Sequence, residues 1–292
     1  MIEERRFALS TGVTLNVAFA GNPSNPPVVL LHGFPESHRT WRSVAPLLAE
    51  RFFLIMPDQR GFGASDRPDD VRAYAPHRPT ADVFALADSF GIDRFALVGH
   101  DWGGAIAWNA ALSKNPRLTR LAIVNAPHPW LFQKALIDDP KQRAASQYMN
   151  VFRDPATEQM IATKGFDRFF ERSFSAHVDL AIIAAEERAR YIADWSRPGA
   201  LSAMLNWYRA TGLVVPLPDE TMAMPDWMDA VPKLDTPTLV IWGMRDPAIL
   251  PSQLDGLNDW IDDLTIVRLP EAGHFAPWQA PDAVAAALLR FL

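Results

Sequence analysis

Short, unbroken apolar runs recur through the first half of the chain, and each stops at a polar or glycine-bearing turn. Val28-Val29-Leu30-Leu31 ends at His32-Gly33, Phe52 to Met56 ends at Pro57-Asp58, Phe95 to Val98 ends at Gly99-His100, and Leu121 to Val124 ends at Asn125. Runs of this length without polar alternation predict strands covered on both faces. Thr80 to Phe90 and Gly104 to Lys114 predict helices between them, and Gly21 to Pro27 predicts a turn. Strand and helix in alternation predict a mostly parallel sheet flanked by helices, an α/β fold.

The pattern changes near Pro129. From there to Met222 no buried-strand signal occurs, and a composition rich in Ala, Arg, Glu, Gln and aromatics predicts helices. Strand signals return at Thr238 to Trp242 and at Leu264 to Val267, and Ala283 to Phe291 reads as an apolar closing helix. The expected organisation is one α/β core, residues 1–128 and 223–292, carrying an inserted helical lid, residues 129–222. The two parts of the core must meet in space, because neither holds a complete sheet.

With 292 residues, 49% of them hydrophobic, the chain can bury one sizeable core plus an insertion. The absence of cysteine excludes disulfides, thiolate chemistry and cysteine-based zinc sites. A net charge of -6 with scattered arginines argues against a nucleic-acid partner. The first residues do not resemble a signal peptide and no apolar run is long enough to span a bilayer, so the expectation is a cytoplasmic protein that does not bind membranes.

The strongest chemical signal is the run Phe95 to Gly104, in which a buried strand enters Gly99-His100-Asp101-Trp102-Gly103-Gly104 and a helix follows. This is the strand–turn–helix setting that presents a nucleophile on a sharp turn, with Asp where serine is usual. Gly99 and Gly103 suit the crossing of backbone segments too close for a Cβ, while Gly104 and Ala107 let the helix approach the sheet. The helix N-terminus favours the ionised form of Asp101. Taken alone, Asp101 also fits a helix cap. As a nucleophile, a carboxylate suits attack on a saturated carbon, which points to an epoxide or a halide rather than a peptide or ester.

His32-Gly33-Phe34-Pro35-Glu36 follows the first of the buried strands. The backbone N–H groups of Phe34 and Trp102 are the expected oxyanion hole, with His32 and Glu36 as supporting groups behind it and a cis bond expected at Phe34-Pro35. Of seven histidines, His274 stands out. It lies in Gly273-His274 past the last strand signal, where a general base can reach Asp101. Asp246, beyond the strand Thr238 to Trp242, is the expected orienting acid, with Asp58 and Asn125 as weaker alternatives. His38, His77, His128 and His177 have no motif around them and read as solvated or locally bonded. There are four tyrosines. Tyr148 and Tyr208, both in the insertion, fit either core packing or hydrogen-bond donation to a leaving alkoxide. Leu131, Phe132, Met149, Phe152, Met204 and Trp242 are candidate walls of the cavity.

Taken together, HGFPE at His32 to Glu36, RGFGASD at Arg60 to Asp66, GHDWGG at Gly99 to Gly104 and Gly273-His274 resemble the core motifs of the α/β-hydrolase-fold epoxide hydrolases. The resemblance runs over essentially the whole chain. NWYR at Asn206 to Arg209 resembles the lid motif that bears one tyrosine, and the Tyr148 segment ending at Phe152 to Pro155 resembles the segment bearing the other. What the resemblance implies is a two-step reaction on a small epoxide and water, with Asp101 as nucleophile, Tyr148 and Tyr208 on the epoxide oxygen, His274 as base, Asp246 assisting, and no metal or other cofactor. Haloalkane and haloacetate dehalogenases, which share the aspartate nucleophile, are the nearest alternative. Against them stand Phe34 at the loop position where a halide donor is usual and the lack of arginine just after Asp101. A lid surface can also support a homodimer, although no sequence feature singles one out.

Overall fold

In the computed structural model, which describes residues 2–292 apart from the side chains of residues 229 and 230, the apolar runs form the interior of an eight-stranded sheet. The strands are β1 (Glu3–Ala8), β2 (Thr14–Ala20), β3 (Pro27–Leu31), β4 (Phe53–Pro57), β5 (Phe95–His100), β6 (Leu118–Val124), β7 (Thr238–Gly243) and β8 (Leu264–Leu269). Their order across the sheet is β1-β2-β4-β3-β5-β6-β7-β8. β2 lies antiparallel between β1 and β4, and the pairs from β4 to β8 are parallel.

The unbroken apolar character of the central strands follows from their two covered faces. Val29, Leu31, Ile55, Leu97, Ile123 and Val240 join one core, together with residues of α2 (His77–Ser89) and α3 (Trp102–Leu112), after a short α1 (Ala45–Leu48). Val28, Leu30, Leu54, Val98, Val124 and Ile241 join the other, against α1 and the closing helix.

Between β6 and β7 the chain forms only helices and loops. The helices are α4 (Pro129–Asp138), α5 (Pro140–Ala145), α6 (Tyr148–Arg153), α7 (Ala156–Lys164), α8 (Phe166–Phe174), α9 (Ala185–Trp195) and α10 (Ala200–Ala210). After α10, residues 211–225 return towards the core without helix or strand, and a short 3-10 turn at Asp226–Ala230 follows. The inserted helices form a lid. Two buried indoles fasten it to loops below: Trp195 Nε1 donates to the Pro35 carbonyl at 2.8 Å, and Trp207 Nε1 to the Arg60 carbonyl at 3.1 Å. Arg60 is in turn held by Asp82 through two buried contacts of 2.6 Å. The chain ends in α11 (Ala276–Gln279) and α12 (Pro281–Phe291).

β1 and β2 have no counterpart in the sequence reading. Four of the six residues of β1 are charged and the strand is almost wholly exposed, so no apolar run marks it. Its backbone pairs with β2 from Glu3 opposite Phe19 to Ala8 opposite Thr14. Among the described residues, no helix is long and apolar enough to cross a membrane.

Candidate active site

Asp101 occupies the turn between β5 and α3 with φ 51° and ψ -120°. Such a backbone costs a non-glycine residue on the order of 1–3 kcal/mol and persists only where the surroundings over-determine it. Here they do. The Asp101 carbonyl accepts from Ala105 N–H at 3.0 Å, and its N–H donates to the Val124 carbonyl at 3.3 Å. A Cβ on Gly99 would lie 2.3 Å from the Gly103 carbonyl oxygen, and one on Gly103 would lie 2.4 Å from that of Leu31. The two glycines are therefore what lets helix, turn and neighbouring strand cross so closely.

The carboxylate is fixed at both oxygens. Oδ1 accepts the Phe34 N–H at 2.7 Å, and Oδ2 lies 3.5 Å from His274 Nε2. Phe34-Pro35 is a cis bond. Trp102 opens α3, so its N–H has no carbonyl partner earlier in that helix. On the far side of the imidazole, Nδ1 of His274 meets Asp246 Oδ2 at 2.7 Å. Asp246 Oδ1 accepts the N–H groups of Ala248 and Ile249, each at 2.9 Å. The loops after β3, β5, β7 and β8 thus converge at one edge of the sheet.

Asn125 is the residue whose role the sequence reading missed. Offered there as an alternative acid, it instead donates Nδ2–H to Asp246 Oδ2 at 2.9 Å and accepts Gly243 N–H at 2.9 Å, holding the end of β7 to the end of β6. Its position directly after a buried strand was the available signal. Asp58, the other alternative, is engaged elsewhere: it meets His38 Nδ1 at 2.8 Å and Asn16 Nδ2 at 3.0 Å.

Burial opposes charge on all three members of the cluster, and their mutual contacts overcome it. Burial raises the Asp101 carboxyl, but the hydrogen bond and charge of His274 bring it below the usual carboxylate value, helped by His100 and the Phe34 N–H. Asp246 is lowered likewise, by His274, the Ile249 N–H and Asn125. For His274, burial lowers the pKa, while the charge of Asp246 and hydrogen bonds to both carboxylates hold it well above the ordinary imidazole value.

His32 and Glu36 lie behind these groups, both buried. His32 Nε2 accepts the Gln59 N–H at 2.9 Å, so Nδ1 carries the proton that meets the Gly33 carbonyl at 2.9 Å. Burial keeps this ring neutral. Glu36 Oε2 lies 3.2 Å from His100 Nδ1, and His100 Nε2 meets the His274 carbonyl at 2.9 Å.

Tyr148 and Tyr208 come from α6 and α10. Their ring centroids are 6.1 Å apart, and Tyr208 also packs edge-on against Phe34 at 5.0 Å and Trp102 at 5.1 Å. Burial, reinforced by the nearby Asp101 charge, raises both phenols, so both keep their protons. Two cavities share Asp101, Tyr148 and Tyr208. One, of about 380 Å³, is mostly apolar and is lined by Trp102, Ile106, Phe132, Met149, Leu213 and Trp227 among others. The other, of about 270 Å³, runs on the His274 side past Phe152, Arg172, Ser173 and His177. Leu131, Met204 and Trp242 line neither, contrary to expectation. Met204 and Trp242 are spent in the core, and Leu131 faces an outer hollow beside Lys134.

Of the histidines read as solvated or locally bonded, one is bonded and one is neither. His38 is paired with Asp58, and His128 is buried between Trp108 and Trp260 with neither ring nitrogen bonded. His77 is exposed, as expected. Among the described residues, no group of three or more His, Asp or Glu side chains is arranged to hold a metal ion.

Residues 26–281 match the family model for the alpha/beta hydrolase fold. The chain is 33% identical to Epoxide hydrolase A of Mycobacterium tuberculosis, over 98% of this chain and 96% of that protein. It is 31% identical to AB hydrolase superfamily protein YfhM of Bacillus subtilis, over 98% and 97%. A solved structure among novel epoxide hydrolases from metagenomes of hot environments superposes with a TM-score of 0.92 at 45% identity, covering 100% of this chain and 98% of that one. The chain belongs to the α/β-hydrolase family and is closely related to its epoxide hydrolases.

Proposed function

We propose that this protein hydrolyses an epoxide to a vicinal diol through an alkyl ester on Asp101. The observation that carries the reading is a single carboxylate facing two protonated phenols across a cavity, with a histidine–aspartate pair behind it. Kinship with proteins described as epoxide hydrolases supports the same substrate class.

In the first step Oδ2 of Asp101 attacks a ring carbon and the carbon–oxygen bond of the epoxide breaks. Tyr148 and Tyr208 donate hydrogen bonds to the oxygen as it takes up charge, which lowers the barrier for a poor leaving group. Oδ1 stays against the Phe34 N–H and becomes the carbonyl oxygen of the ester.

Alkylation also changes His274. It removes the charge of Asp101, one of the two carboxylates that hold a proton on the imidazole, so the ring's pKa falls; the ring releases its proton, which balances the one the alkoxide takes up, and is left as a neutral base. His274 then takes a proton from water, the water oxygen attacks Cγ of Asp101, and the resulting oxyanion lies between the N–H groups of Phe34 and Trp102. Collapse breaks the ester C–O bond, the departing oxygen takes the proton from the imidazolium to complete the diol, and the acid left on Asp101 returns its proton to the imidazole; Asp246 stabilises the imidazolium in the interval. The lid, residues 129–222 in the boundaries read from sequence, brings the tyrosines to the substrate and closes the apolar cavity around it.

The test is His274→Gln mixed with styrene oxide. Ring opening needs no general base, so intact-protein mass spectrometry should show one added substrate mass, and peptide mapping should put it on Asp101. A haloalkane and fluoroacetate in parallel address the dehalogenase reading. Turnover of either in place of the epoxide overturns the substrate assignment.

A further inference from the structure

His177 is the lid's one histidine, in the turn just after α8. No motif surrounds it, and neither ring opening nor ester hydrolysis as proposed uses it. Its ring centroid lies 5.4 Å from that of His274, and both rings line the cavity of about 270 Å³ that reaches Asp101. Nδ1 of His177 is buried with no partner in the protein. Burial, with a further contribution from the charge of His274, pushes the ring's pKa down to about 4, so it is neutral near pH 7 and offers one donor and one acceptor.

The spacing of the two rings is held from outside the cavity. The Gln279 side chain donates Nε2–H to the His177 carbonyl at 2.9 Å and accepts the N–H of Gly273, the residue before His274, at 2.9 Å. One amide therefore ties the lid turn to the core loop at the point where the two histidines face each other.

We propose that His177 is a positioning residue for the second half-reaction: it holds the water that His274 deprotonates, and Gln279 sets the distance between them. This rests on the ester mechanism above. The water gives one proton to His274 Nε2, directs the other at a ring nitrogen of His177, and attacks Cγ of Asp101 with its lone pair. His177 gains and loses no proton. Misplacing the water costs rate only in this step, because ring opening involves no water.

The experiment compares single-turnover ring opening and ester hydrolysis in wild type, His177→Phe, His177→Gln, Gln279→Glu and His274→Gln, using rapid acid quench and intact mass with styrene oxide. His177→Phe keeps a ring of similar shape and is expected to open the epoxide at the wild-type rate. Its ester hydrolysis should slow by about 10- to 100-fold, so that the ester accumulates in the steady state. His177→Gln restores a hydrogen-bonding group and should recover part of the loss. Gln279→Glu has no donor for the His177 carbonyl and should show the same one-sided defect, more mildly. A packing role for His177 predicts equal slowing of both steps, and that result overturns the proposal. So does wild-type hydrolysis in His177→Phe or, should that variant not fold, in Gln279→Glu. If His274→Gln traps the ester while His177→Phe clears it normally, only the positioning role falls. If no variant forms an adduct, His274→Gln included, the ester mechanism itself falls.

Discussion

On the sheet side of the cavity, Asp101 and Asp246 are held by backbone N–H groups, and His274 is held between them. Phe34, Ala248 and Ile249 direct their N–H groups at the two carboxylates, and the strained turn at Asp101 is locked by the packing of glycine on strand. On the lid side, Tyr148 and Tyr208 are held by aromatic packing against Phe152, Phe34, Trp102 and each other. One side carries ionised groups and the other keeps its phenols protonated. The contrast is chemical as well as structural. In the proposed reaction, the groups that form and break bonds sit where strand ends fix them, while those that only respond to a growing charge sit on helices of the inserted lid.

If that division holds, removing a sheet-side group should stop turnover, whereas removing lid-side groups should grade it. The largest effect is expected from Asp101→Asn, where kcat should fall on the order of 10⁴- to 10⁶-fold with the thermal midpoint little changed. Steady-state kinetics on fresh, sequence-verified protein check this, and turnover within about tenfold of wild type would break the comparison.

Next comes the lid pair. Tyr148→Phe or Tyr208→Phe alone should slow ring opening by about 10²-fold, and the double variant by considerably more. Ester hydrolysis should be untouched, because the alkoxide has already formed. Stopped-flow measurement of the two phases distinguishes this from a general loosening of the lid, which slows both.

The smallest effect is one of pH. Asp101 has a pKa below the usual carboxylate value, so ring opening should persist well into acid. Ester hydrolysis needs neutral His274, whose pKa is raised in the resting site by Asp246 and Asp101, and it should decline by about tenfold per pH unit below the imidazole's pKa in the ester. The quenched ester should therefore be more abundant at about pH 5 than at about pH 8. Equal ester levels at both would mean that both steps depend on the same ionisation.

The sheet side was also the more legible in sequence, for the same physical reason. Parallel strands buried on both faces must be apolar throughout, and Asp101 and Asp246 follow two such strands, so each stands at a recognisable boundary; His274 follows the partly exposed edge strand β8 and is marked by Gly273-His274 instead. β1 left no such trace, since an exposed edge strand is specified by its pairing with β2 and not by its own side chains. His128 and Asn125 were misjudged because their partners (the Trp108 and Trp260 rings, and Asp246) come from other parts of the chain. Met204 and Trp242 are apolar residues that fit a cavity wall and a core equally well, and only packing decides between the two.

Val124 and Ile241 are partners across the sheet, although the whole lid separates them in the chain. During synthesis β6 therefore waits with one edge unpaired while the lid emerges, and a bare strand edge invites pairing with other chains. The same order staggers reactivity. Asp101 and Phe34 are made early, whereas Asp246 and His274 arrive after β7 and β8 can close the sheet. On the proposed mechanism, a chain interrupted within the lid carries the carboxylate but neither of the groups that would clear an ester from it, so catalytic turnover would be among the last properties the growing polypeptide acquires.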